Sequence, residues 1–88
     1  MSNQAQYNVI YVDTNAGFSG PKVICGVKYI GAASGTAVIT SGSADGSGNR
    51  LWAEGGTANQ HVDDMDVVAK DGFYVTLTNS AKVYIYLE

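Results

Sequence analysis

The sequence predicts an all-β fold, a small antiparallel β-sandwich or partly closed barrel of six to seven strands. Three observations predict it. Phe73-Tyr74-Val75-Thr76-Leu77-Thr78 and Lys82-Val83-Tyr84-Ile85-Tyr86-Leu87 alternate apolar with polar or aromatic residues, the signature of half-buried strands. Eleven glycines against a single proline suit short strands joined by tight turns. No segment repeats its apolar residues at helical period.

Taken in order, residues 1–6 read as a polar arm and residues 7–88 as one sandwich domain. Tyr7 to Asp13 alternates Tyr7, Val9 and Tyr11 against Asn8, Ile10 and Val12. Both sets are partly apolar, so this strand is expected to be covered on both sides. Thr14 to Gly17 and Ser19 to Pro21 are loop signals, with Phe18 packed beneath. Lys22 to Ile30 is a strand with Val23, Cys25, Val27 and Tyr29 on one face. Gly26 in its middle points to a bulge or to the close approach of a bulky neighbour. Thr36 to Thr40 returns as a short strand, and the two read as a hairpin. Ser41 to Asn49 is a small, polar, exposed loop. Arg50 to Glu54 is a short strand, Gly55 to Gln60 a loop, and Met65 to Lys70 a further segment. Asp71-Gly72 is a strong turn dipeptide. A tight hairpin there would set Met65, Val67 and Ala69 against the wrong face, so a longer turn or a crossing to a second sheet is expected.

The two carboxyl-terminal segments read as a hairpin about Asn79-Ser80-Ala81. Facing Thr78 with Lys82 pairs Leu77 with Val83, Val75 with Ile85 and Phe73 with Leu87. These six are the predicted core. The opposite face would carry a tyrosine stripe, Tyr74 beside Tyr86 with Tyr84 near Thr76. Tyr74, Tyr84 and Tyr86 are therefore the candidate interface residues, since tyrosine combines large apolar area with a polar tip. Sugar binding is the other use of such a stripe, with Trp52 as a further aromatic.

A 9.2 kDa chain is expected to bury roughly 60% of its extended surface on folding, which is marginal for a lone domain. One cysteine, Cys25, excludes an internal disulfide, and no Cys/His cluster is spaced for zinc. Oligomerisation is the remaining device. The formal charge is −3 and only 15% of residues are charged, against about 25% in an average soluble domain. Such a surface suits a chain covered by neighbours, and its acidic balance disfavours nucleic acid. No apolar run is long enough for a transmembrane helix. Met1 to Gln6 is polar and uncharged, unlike a signal peptide, which with the single cysteine implies synthesis in a reducing cytoplasm.

No pattern calls for a cofactor or for catalysis. Asp63-Asp64-Met65-Asp66 and Asp45-Gly46-Ser47-Gly48-Asn49 offer oxygens to a hard cation but lack the EF-hand spacing. They read as solvated turns. His61 is the only histidine, and no serine sits in a Gly-x-Ser-x-Gly elbow. Cys25 reads as a small buried hydrophobe.

Several stretches together resemble the small structural proteins of tailed-bacteriophage virions. They are Asn8 to Asp13, Gly20 to Val23, Val27 to Gly31, Ser34 to Ala37, Leu51-Trp52, Ala69 to Thr76 and Val83 to Tyr86. The likeness runs over nearly the whole chain and consists of turn and strand patterns, with no site motif to carry over. It implies a non-catalytic capsid decoration (cement) protein or a small fibre module. A decoration protein would act as an oligomer, with a trimer favoured, bind the major capsid protein on the capsid surface, and reinforce the head shell. The polar arm could then order on a neighbour.

Overall fold

The computed structural model describes residues 8–62 and 65–88, and these form two antiparallel sheets with no helix. The nine strands are β1 (Asn8–Val12), β2 (Ala16–Phe18), β3 (Lys22–Ile30), β4 (Thr36–Ser41), β5 (Arg50–Gly55), β6 (Gln60–Val62), β7 (Val67–Ala69), β8 (Phe73–Thr78) and β9 (Lys82–Leu87). The five-stranded sheet runs β1-β9-β3-β6, with β7 also on β3, and the four-stranded sheet runs β2-β8-β4-β5. The predicted β-sandwich is therefore the observed architecture, but with nine strands among the described residues where six to seven were expected, because three-residue strands such as β2, β6 and β7 are too short to show a period. The expected arm at residues 1–6 and Tyr7 lie outside the described residues.

Most connections cross between the sheets. Only the β4–β5 hairpin and the β6-to-β7 passage stay within one. This corrects two expected hairpins. The segments at 22–30 and 36–40 do not pair: β3 bonds β9, β6 and β7, while β4 bonds β5 and β8. Phe73 to Leu87 is likewise no hairpin, because β8 pairs β2 and β4, whereas β9 pairs β1 and β3. The physical reason is that alternation assigns a side chain to a face but does not name the strand's neighbour. Two apolar faces satisfy the same pattern side by side in one sheet or opposed across a core. Ala81 occupies the corner between β8 and β9 and is wholly buried. Asn79 and Ser80 before it both take positive φ, 53° and 69°, and Ala81 N–H donates to the Thr78 carbonyl at 3.1 Å. The turn is as tight as a hairpin's, but it delivers β9 to the opposite sheet. At Asp71-Gly72 the crossing is also what is found, with Gly72 at φ +85° and its N–H donated to Ala69 O at 3.1 Å.

The core lies between the sheets. Phe73 and Val75 from one side meet Val83, Ile85 and Leu87 from the other, together with Ile24, Val27, Tyr29 and Ile39. Leu77, the sixth predicted core residue, is partly buried against this cluster. Phe18 sits in β2 rather than in a loop, opposite Phe73, with the rings 5.0 Å apart. Trp52 faces Ile39 across the β4–β5 ladder and packs against the core.

The mid-strand glycine does mark a bulge. Ile24 pairs with Leu87 and Gly26 with Tyr86, leaving Cys25 as the extra residue. The insertion changes the parity of β3. Ile24 before it and Val27 and Tyr29 after it all point inward, so Val23, Cys25, Val27 and Tyr29 do not share one face as expected.

Tyr29 also ties the crossings together at one end of the sandwich. Its hydroxyl lies 2.8 Å from Gly56 O and 3.1 Å from Gly35 O, so its one proton is shared between two crossing turns. Asn79 Nδ2 donates to Ser34 O at 2.7 Å, joining the β8–β9 turn to the β3–β4 turn. Satisfying these carbonyls within the chain is what lets backbone cross over a buried core.

Candidate functional site

The outer face of the five-stranded sheet carries the candidate site. Antiparallel partners share a face, so the register builds it directly. Tyr11 of β1 stands opposite Tyr84 of β9, and Tyr84 opposite Lys28 of β3, which faces His61 of β6. A second row sets Val9 opposite Tyr86 and Tyr86 opposite Gly26. The Tyr11 and Tyr84 rings are 4.9 Å apart and tilted by 44°, within the range of favourable aromatic pairs. The His61 and Tyr86 rings are 5.9 Å apart although β3 runs between their strands. They meet across Gly26, the one position on that row without a side chain.

This surface is accessible and largely aromatic and aliphatic, with exposed Lys28 between Tyr84 and His61. Val9 is 53% exposed and Tyr11 47%, so β1 is covered on one side only and not on both as expected; Val68, at the β7 end, is 65% exposed. Tyr84 and Tyr86 are half-buried by their neighbours. Partial burial, with smaller effects from Asp13 and Tyr84, pushes the Tyr11 phenol up. It therefore stays a neutral hydrogen-bond donor at physiological pH. The face offers aromatic area with polar tips, interleaved with the Lys28 amine.

Tyr74 is not part of it. It lies on the outer face of the four-stranded sheet, opposite Gly17 of β2 and Thr40 of β4. The expected stripe of Tyr74 beside Tyr86 is thus split across the two sides of the molecule, because β8 and β9 do not pair. Tyr74 is half-buried, as Tyr84 and Tyr86 are, but here the chain's own 41–49 loop lies beside the ring. A Cβ on Gly17 would run into Ser43 O and sit 3.1 Å from Tyr74 Cδ1, and one on Gly46 would sit 3.7 Å from Tyr74 Cδ2 and 2.8 Å from Thr76 Oγ1. Glycines at both places let the 41–49 loop come up against the ring, and Thr40, across the ladder from Tyr74, is only 5% exposed.

Sequence reasoning named Tyr84 and Tyr86 but missed Tyr11 and His61 as their neighbours. Alternation groups Tyr11 with Val9, but only the β1–β9 ladder places them beside Tyr84 and Tyr86. For His61, Gly26 was the available signal, since a vacant row position invites a ring from the next strand.

The other candidates resolve as local structure. Asp45 accepts hydrogen bonds from the Ser47 hydroxyl and the Ser47 N–H, which hold its carboxyl below the usual range. That is a self-contained turn. Asp63 and Asp64 lie outside the described residues, and Asp66 is exposed. Among the described residues no group of three or more His, Cys, Asp or Glu is placed to hold a metal ion. Cys25 is half-buried, and desolvation, with Glu88 and Asp66 adding, pushes its thiol up. That opposes formation of the nucleophilic thiolate. Among the described residues every buried side-chain polar atom has a partner, so the core holds no polar group left free for a ligand.

No protein-family model matches this sequence, and no curated protein or solved structure matches it.

Proposed function

We propose that this chain is a non-catalytic structural protein of a tailed-phage virion, a decoration protein that binds and stabilises the head shell as an oligomer. The observation that carries the reading is the accessible aromatic face of the five-stranded sheet, with Tyr11 against Tyr84 and Tyr86 against His61. Tyrosine and histidine rings beside Val9 supply a contact surface of the kind that protein interfaces concentrate. A ligand that binds only the assembled shell stabilises it by its binding free energy, and repeating the contact through an oligomer adds avidity. The alternative, a carbohydrate-binding or fibre module, draws on the same rings but without Trp52, which packs inward.

The test is cosedimentation of the chain with empty shells of the phage that encodes it, beside a glycan array. The decoration reading expects saturable binding to shells, lost in Y84A with Y86A and retained in Y74A, and no glycan hits. Glycan binding without shell binding would replace it with the carbohydrate reading.

A further inference from the structure

The sandwich has four open flanks among the described residues, and three are blunted. β2 is three residues long with Gly17 at its centre. β5 carries Arg50 and Glu54 and loses register at Leu51. The flank beyond β3 is shared by β6 and β7, three residues each. Short strands, charges and breaks in register are the means by which proteins keep sheet edges from pairing. β1 has none of them. Asn8-Val9-Ile10-Tyr11-Val12 is uncharged, contains no proline, and holds unbroken register with β9 over all five residues. Among the described residues no strand lies on its other side, so its outward ladder groups face any strand that approaches.

We infer that β1 pairs antiparallel with β1 of a second copy, joining two five-stranded sheets into one across a two-fold axis at Ile10. This deepens the oligomer named in the proposed function and specifies a two-fold contact where the sequence favoured a trimer. The register follows from the strand itself. Centring on Ile10 uses all five residues: Ile10 meets Ile10 of the second copy, Val9 meets Tyr11, and Asn8 meets Val12. Each pair joins residues of like face, so inward side chains stay inward. The contact is self-complementary, as a two-fold interface requires. It places two Val–Tyr pairs on the outer face, a favourable cross-strand combination. It also makes the aromatic rows continuous, because Tyr84 and Tyr11 of one copy run on into Val9 and Tyr86 of the other. The docking face doubles without any new side chain.

Sedimentation of the full chain over a range of concentrations tests this. A mass twice the 9.2 kDa of one chain is expected. V9K with Y11K should weaken the association by about tenfold or more, since it sets ammonium groups opposite one another twice. Both positions are about half exposed in the single chain, so folding should survive, and the circular dichroism of the variant checks that it does. Amide exchange gives a second reading independent of mutation. In the pair, every β1 amide is protected, and on dilution alternate amides become fast. A monomer at all concentrations, a trimer, an association untouched by V9K with Y11K, or alternate β1 amides exchanging fast at every concentration would each overturn the inference. Shell binding by the wild type is scored separately, so the decoration reading and the two-fold contact fail independently.

Discussion

The two outer faces of this sandwich set the same residue type in different surroundings. On the four-stranded sheet, the chain's own 41–49 loop lies beside half-buried Tyr74, an approach that Gly17 and Gly46 allow. On the five-stranded sheet, half-buried Tyr84 and Tyr86 pack instead against exposed Tyr11 and against His61. Aromatic alternation alone therefore does not separate a ring that the chain's own loop meets from one that shares an open sheet face.

The comparison yields experiments in descending order of effect. Gly17→Val should destabilise by about 1–3 kcal/mol, because its side chain would meet the Ser43 carbonyl rather than open space. An unchanged urea midpoint would mean that the loop does not close on β2. Tyr74→Ala should cost about 2 kcal/mol, a reduced version of a fully buried aromatic truncation. Tyr84→Ala should cost only about 1 kcal/mol, chiefly the lost pairing with Tyr11. Finding the reverse order by urea unfolding would break the distinction between covered and open faces. Smaller still, the Cys25 thiol should react with iodoacetamide at pH 8 more slowly than a free thiol, and faster once urea unfolds the chain. Because its folded pKa is raised, its contribution to stability falls as pH rises through that value. The smallest effect is at Asp45. Its folded pKa is lowered, so the turn's contribution is present above the ordinary carboxylate range and fades as pH falls below it. An NMR titration in which the Ser47 amide follows an unshifted Asp45 carboxyl would contradict that.

Much of the fold was legible because side-chain period reports burial. The buried positions Phe73, Val75, Val83, Ile85 and Leu87 follow from alternation alone, and the bulge at Cys25 was signalled by Gly26. The partners were not legible. A strand's pattern is the same whether its apolar face meets a neighbour in its own sheet or one across the core, so β8 and β9 read as a hairpin. The same gap hid the site. Tyr84 and Tyr86 were visible as candidates, but Tyr11 joins them only through the β1–β9 ladder, and Tyr74 leaves them only because β8 bonds β4. The strand at Ala16 to Phe18 is not legible because three residues around a glycine carry no period.

The proposed decoration role sets the outer face of the five-stranded sheet against the shell. Hydroxyl-radical footprinting of the chain, free and bound to empty shells, measures this at each tyrosine. Binding should protect Tyr84 and Tyr86 while labelling of Tyr74 stays the same. Protection of Tyr74 with Tyr84 and Tyr86 left unchanged would contradict it.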